Sequence, residues 1–261
     1  MTHGSLFSGI GGFDLAAEWM GWENVFHCEW NEFGKKVLKY YWPNSESFDD
    51  ITKTDFTKYY GTIDIISGGF PCQDASIAKQ DGKGQQGLQG KRTGLFYEMV
   101  RAIEEIRPKF VVAENVANFL KINDGRDFKI TLSELARMGY NAEWRICRAS
   151  ENGAPHHRAR LYLVAYTSSI RLQSNESFFS FLPKEAKSFS WMPNGAIIQI
   201  NRANSWKSEP PVLCLDDEFS RKMDGITFRK WRAESIKAYG NAVVPQVVYE
   251  IFKAIEAYET I

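Results

Sequence analysis

The stretch Ser67-Gly-Gly-Phe-Pro-Cys-Gln-Asp-Ala-Ser76 constrains this chain more than any other. A short apolar run, Ile63-Asp-Ile-Ile66, leads into it and has the length and content of a buried strand. Gly68, Gly69 and Pro71 then break the run abruptly. A strand that stops at such a loop suits a parallel sheet, whose ligands gather beyond the carboxyl ends of its strands. Cys72 stands just past the break. A thiol there is accessible, and loop amides or a nearby cation would favour its thiolate. A single cysteine at a strand end is more often a small buried hydrophobe, so the rest of the chain must decide between the two.

The N-terminal segment reads as strand, glycine turn and helix: Gly4-Ser-Leu-Phe-Ser-Gly-Ile-Gly-Gly-Phe-Asp14, with an apolar stripe of Phe13, Ala16, Ala17 and Met20. Gly9, Gly11 and Gly12 let backbone approach a ligand at a helix N-terminus. The pattern falls short of a full dinucleotide fingerprint, and a plain tight turn fits it equally. Val25-Phe-His-Cys-Glu29 is a second strand ending in an acid. Glu29 follows the glycines at roughly the 20-residue spacing at which a carboxylate meets ribose hydroxyls. Trp30 could cover an adenine ring. A helix from Asn31 to Tyr41 closes at Pro43, and Phe48-Asp-Asp-Ile-Thr52 reads as a loop whose two acids could reach a base edge.

Beyond Cys72, residues 80–92 are polar and glycine-rich, with Lys83, Lys91 and Arg92. A loop this long suits a lid that faces phosphate, or plain disorder. Thr93 caps a helix from Gly94 to Ile106. Lys109-Phe-Val-Val-Ala-Glu-Asn-Val116 is a further buried strand, and its Glu114, at an apolar sheet mouth, could be a proton donor or a simple helix cap. Asp127–Met138 should be an amphipathic helix with Ile130, Leu132, Leu135 and Ala136 inward, ended by Gly139. Asn141–Cys147 and Leu161–Ala165 read as strands. Arg158 and Arg160 alternate at the entry to the second, two cations that could orient an anion or a base carbonyl. His156 and His157 have no acid at ligand spacing, so no metal site is expected.

Composition shifts at Thr167. Residues 167–236 are expected to form a small irregular region without a long helix, in which cations modestly outnumber acids and aromatics are interleaved. That suits nucleic-acid contact, although a mixed solvated surface has the same composition. In the tail, Pro245 suits a first helical turn and Val248, Ile251, Phe252 and Ile255 form an apolar stripe. The catalytic domain is thus expected over residues 1–166 plus 237–261. With 32 basic and 32 acidic residues the chain gives no support to nonspecific nucleic-acid binding. Four scattered cysteines argue against disulfides and zinc, and no signal peptide or membrane span is expected.

Taken in order, Leu6-Phe-Ser-Gly-Ile-Gly-Gly12, Gly69-Phe-Pro-Cys-Gln73, Glu114-Asn-Val116, Arg158-Ala-Arg160 and Gly240-Asn-Ala-Val-Val-Pro245 resemble the motifs of the cytosine-5 DNA methyltransferases. The approach to the last motif is similar to that of short, phage- or prophage-associated members. The resemblance implies an α/β fold, a doubly wound and mostly parallel sheet of the S-adenosylmethionine-dependent, Rossmann-like type, plus a small target-recognition region. It implies S-adenosyl-L-methionine as cofactor, S-adenosyl-L-homocysteine as product, and double-stranded DNA as partner, in the cytoplasm of a bacterial or phage-infected cell. Phe7, Gly9, Gly11, Gly12, Glu29, Trp30, Asp50, Ile51, Pro71 and Asn241 match cofactor-binding positions. Cys72 matches the nucleophile, Glu114 the acid on the cytosine N3 edge, and Arg158 and Arg160 the pair that positions the flipped base and supports the active site. His156 stands where the family often has Gln. An RNA cytosine-5 methyltransferase is the alternative, without that branch's Cys-Phe-Thr signature in the middle region. A silent DNA-binding paralogue would be expected to lack Cys72 or Glu114.

Overall fold

A computed structural model of the chain describes residues 1–70, 94–152, 154, 156–167, 177–182 and 228–259, with the side chains of Phe181 and residues 228–230 left out. Its centre is a seven-stranded sheet: β1 (Thr2–Leu6), β2 (Glu23–Cys28), β3 (Glu46–Phe48), β4 (Ile65–Gly68), β5 (Phe110–Val116), β6 (Tyr140–Arg148) and β7 (Ala159–Thr167). The spatial order is β3-β2-β1-β4-β5-β7-β6. The first five run parallel, whereas β7 is antiparallel to both β5 and β6. The fold is therefore the expected α/β type, doubly wound and mostly parallel.

The alternation of side chains along each strand sorts the core into two layers. On one face, Leu6, Phe26, Ile66, Val111, Ala113, Leu161 and Leu163 pack with α3 (Gly94–Ile106) and α4 (Arg126–Arg137). On the other, Ile65, Phe110, Val112, Tyr162 and Val164 pack with α1 (Gly12–Trp19) and with Pro245–Glu259, the last helix. With helices on both faces the central strands β1, β4, β5 and β7 are buried on both, hence their nearly continuous apolar runs. Gly4 is small because Phe26 crosses it: a Cβ there would overlap the Phe26 ring.

Four local findings refine the reading of the sequence. The acidic loop after Pro43 begins with a short strand, β3, whose Phe48 joins the aromatic cluster of Phe26, Phe56 and Tyr59. The inward face of α4 is Phe128, Thr131 and Leu135 with Met138 beyond it, while Ile130 and Ala136 face outward. Phe128 sets that phase, packing edge-on to both Phe119 and Trp144. The region expected to lack a long helix ends in one: α5 (Phe228–Asn241). Its apolar positions are sparse, and among its described side chains Trp231 is the large buried anchor, against Phe33 and Val37 of α2 (Glu32–Tyr41). The last helix is then α6 (Pro245–Glu259), with Val248, Ile251, Phe252 and Ile255 all fully buried as the stripe predicts. Phe178, Phe179 and Leu182, from the same middle region, are buried in the layer beneath α6.

Candidate active site

One cleft of about 1320 Å³ opens along the carboxyl edge of the parallel strands. Its first wall is the loop after β1. Ser5 and Ser8 share a hydrogen bond of 2.6 Å, and both Ser8 N and Ser8 Oγ donate to Cys28 O at 3.2 and 3.3 Å. The loop after β1 is thus tied to the end of β2. Phe7 takes a left-handed φ of 53° and Gly9 one of 60°, so the chain doubles back and turns amides toward the cleft. Glu29 binds one of them: its Oε2 accepts from Gly9 N at 2.6 Å, and its Oε1 from Asn31 N at 2.6 Å. Burial nevertheless raises its pKa. Asn31 caps α2 through Phe33 N and Gly34 N. Gly34 then lies so close to Gly9 O that a Cβ would strike it. A glycine inside the first turn of a helix costs about 1 kcal/mol, and here it admits the loop.

Trp30 is 71% exposed at this end. Across from it, Asp50 accepts from Thr52 N at 3.0 Å and Thr52 Oγ1 at 2.7 Å, bonds that lower its pKa. Ile51 is buried against the aromatic layer. Arg101 of α3 holds this turn, donating to Ile51 O at 2.5 Å and Thr54 O at 3.1 Å while pairing with Glu98 and Glu105. Phe7, Gly9, Glu29, Trp30, Asp50 and Ile51 all line the cleft. Gly11 and Gly12 do not. Gly11 is the left-handed N-cap of α1 with Trp42 packed on it, and a Cβ at Gly12 would stand 2.6 Å from Val243 Cγ2.

The other end of the cleft belongs to β5 and β7. Because β7 runs backwards, its first residues reach the edge where β5 ends, and Arg160 pairs with Val116 in the register. Arg160 Nε meets Glu114 Oε1 at 3.0 Å. Glu114 is 9% exposed, and burial raises its pKa against the opposing fields of Arg160 and Arg158. A carboxyl so placed keeps a proton to higher pH than usual while a fixed cation orients it. Gly69, one residue past β4, is so near that a Cβ would lie 3.2 Å from Glu114 Oε2. Pro71 and Cys72 fall outside the described residues, as do Thr93 and the glycine-rich stretch of residues 80–92.

Arg158 also lines the cleft, but its terminal nitrogens donate to Gly240 O and Ala242 O, each at 2.7 Å. Asn241 lies between those two carbonyls and faces the cleft. His156 is exposed, its pKa lowered by partial burial and by Arg158. Sequence reasoning passed over Ile10, Gly34, Glu234, Lys237 and Ala238, which line the same cleft. Only Gly34 carried a signal, as a glycine inside a predicted helix. Among the described residues no group of three His, Cys, Asp or Glu could hold a metal, and no helix is long and apolar enough to cross a membrane.

A family model described as C-5 cytosine-specific DNA methylase matches residues 1–210. The chain is 35% identical over 179 residues to the Type II methyltransferase M.Sau3AI of Staphylococcus aureus, covering 63% of this chain and 43% of that one. It is 32% identical over 169 residues to the Type II methyltransferase M.HhaI of Haemophilus parahaemolyticus, covering 65% and 50%. It thus spans about half the length of these relatives. Among solved structures, the Entamoeba histolytica methyltransferase EhMeth superposes with a TM-score of 0.66 at 15% identity, covering 98% of each chain. The Dnmt2 methyltransferase of S. pombe superposes with a TM-score of 0.55 at 17% identity, covering 86% and 67%. At those identities the likeness speaks for the fold.

Proposed function

This chain belongs to the C-5 cytosine-specific DNA methylase family, and on that premise we propose that it methylates C5 of a flipped-out cytosine in a short double-stranded DNA sequence, using S-adenosyl-L-methionine. The observation that carries the reading is the pairing of two unlike ends in one cleft. One end is the loop of Phe7 and Gly9 tied to Glu29; the other is Glu114 braced by Arg160.

The first end fits a nucleoside cofactor. Glu29 has spare lone pairs for ribose hydroxyls beyond its two amide donors, Trp30 offers an exposed ring, and Gly34 lets the Gly9 loop pack close to α2. Asp50 and Asn241 complete the lining. When bound, S-adenosyl-L-methionine would supply an electrophilic methyl group.

Cytosine C5 is a poor nucleophile. In the proposed reaction the Cys72 thiolate adds at C6 and pushes electron density to C5. Glu114 supplies a proton or hydrogen bond at N3, which stabilises the adduct, and Arg160 holds Glu114 in place. After C5 is methylated, solvent takes the C5 proton as the C6–S bond breaks, which restores the C5=C6 double bond and frees the Cys72 thiolate. A base stacked in a duplex hides C6, so it must be extruded at a cost of a few kcal/mol. We assign target recognition to residues 167–236. Support comes from their composition and from their attachment beneath α6 through Phe178 and Leu182 and at α2 through Trp231.

The test is transfer of labelled methyl from S-adenosyl-L-methionine to unmethylated duplex DNA, with cytosine-resolved sequencing of the product. Label at C5 in one short sequence is expected. Cys72→Ala should abolish it while cofactor binding persists; equal turnover by that variant would refute the covalent mechanism.

A further inference from the structure

The two arginines at the entry to β7 are engaged differently. Arg160 turns its Nε to Glu114 at 3.0 Å and its Nη1 to Ala159 O at 2.9 Å. Arg158 commits both terminal nitrogens to Gly240 O and Ala242 O. Those carbonyls flank the C-terminus of α5, where the last turn of a helix leaves carbonyls without intrahelical partners and carries partial negative charge. A planar guanidinium spans two such acceptors as it spans a carboxylate, and a lysine cannot. These two bonds use two of the five N–H donors of the guanidinium, and Nε is buried without a partner.

The same turn is held from its other side. Val243 packs on Gly12, at the start of the helix that follows the cofactor loop, closely enough that a Cβ there would stand 2.6 Å from Val243 Cγ2. The residue between the two clamps is Asn241, which lines the cleft. We propose that Arg158 is a positioning residue for the cofactor end of the cleft, fixing the Gly240–Ala242 turn so that Asn241 is presented to the cofactor. The inference rests on the cofactor reading above. It divides the arginine pair between the two ends: Arg160 serves the base through Glu114, and Arg158 serves the cofactor through the turn.

The test compares Arg158→Lys with Arg160→Lys in the full chain. S-adenosyl-L-homocysteine is titrated calorimetrically without DNA, so that no base is present to be positioned. Losing the two-carbonyl clamp should weaken binding roughly tenfold in Arg158→Lys, while Arg160→Lys stays within about twofold of the unmodified chain. In turnover, Arg158→Lys should raise KM for the cofactor by more than it lowers kcat, and Arg160→Lys should do the reverse. Unchanged affinity in Arg158→Lys, or equal losses in the two variants, would overturn the proposal. If the unmodified chain binds no S-adenosyl-L-homocysteine, the cofactor reading falls and this inference with it. If Arg158→Lys does not fold, amide exchange in the unmodified chain decides. The ligand should slow exchange at His157–Arg160 as well as at Gly240–Ala242, and protection of the turn alone would refute the clamp.

Discussion

Asp14 gives the sharpest test of the energetics. It sits in the first turn of α1 with no exposed surface. Its donors are modest: Ser5 Oγ lies 2.8 Å from Oδ1 and 3.0 Å from Oδ2, and no lysine or arginine pairs with it among the described residues. Burial outweighs these bonds and pushes the carboxyl up from 3.8 to about 7. Below the lower value the group is protonated whether the chain is folded or not, and stability is unaffected. Between the two values the unfolded chain has lost the proton and the folded chain keeps it, so stability falls as pH rises. Above about 7 the loss is complete. At about 1.36 kcal/mol for each pH unit it amounts to about 4 kcal/mol. Asp14→Asn removes the ionisation at nearly constant volume. The variant should therefore gain on the unmodified chain by about 4 kcal/mol between pH 4 and pH 8, measured by urea unfolding followed through tryptophan fluorescence. His3 and His27, each lowered to about 4 by burial, act in the opposite direction. They are common to both chains and cancel in the difference. A difference that stays flat to within about 1 kcal/mol across that range, or slopes the other way, would refute the claim that an uncompensated carboxylate is buried beneath the loop after β1.

Three further outcomes follow from particular contacts. Gly12→Ala must move Val243, a stiff β-branched residue with its carbonyl also 3.1 Å from the new methyl; a loss of about 1–3 kcal/mol is expected in the same unfolding assay, with weaker S-adenosyl-L-homocysteine binding by calorimetry. Arg101→Met leaves Ile51 O and Thr54 O without their donor. It should cost about 1–3 kcal/mol and speed amide exchange over the Asp50–Thr54 turn, whereas unchanged exchange would deny Arg101 its bracing role. Glu114→Gln should lower kcat by about 100-fold or more and leave S-adenosyl-L-homocysteine affinity within about twofold. A defect confined to DNA binding would contradict the role proposed for the carboxyl.

The alternation of apolar runs with glycine breaks made the β/α order legible, because strands buried on both faces advertise themselves. Glu29 was legible as a strand-end acid at the right spacing from its glycines, and the Gly9 amide is what it meets. Three features were not legible, each for a physical reason. Strand β3 is three residues long, too short to show a period. Helix α5 anchors itself by Trp231 and small residues, so little amphipathic pattern marks it. Gly11 and Gly12 read as ligand glycines, yet they admit Trp42 and Val243. A missing Cβ signals close approach without saying what approaches.

The deepest limit on the sequence reading is direction. Residues 161–165 announce a strand, but nothing in them says that it runs against its neighbour. That reversal is what makes the site. A parallel β7 would carry Arg158 and Arg160 to the amino edge of the sheet, a strand's length from Glu114. The antiparallel β7 carries them to the carboxyl edge, where Val116 is in register with Arg160 and Glu114 with Tyr162. The antiparallel pairing of β6 with β7, joined through the residues between Arg148 and Ala159, makes the reversal possible without a crossover helix. The arginine pair, spaced two apart, then meets two different partners at once: a carboxylate on the neighbouring strand, and two carbonyls 82 and 84 residues further along the chain. Alternation along a strand sends residues two apart to the same face, so both guanidiniums enter one cleft. Their partners divide them between its two ends, a division that main-chain acceptors never write into a sequence.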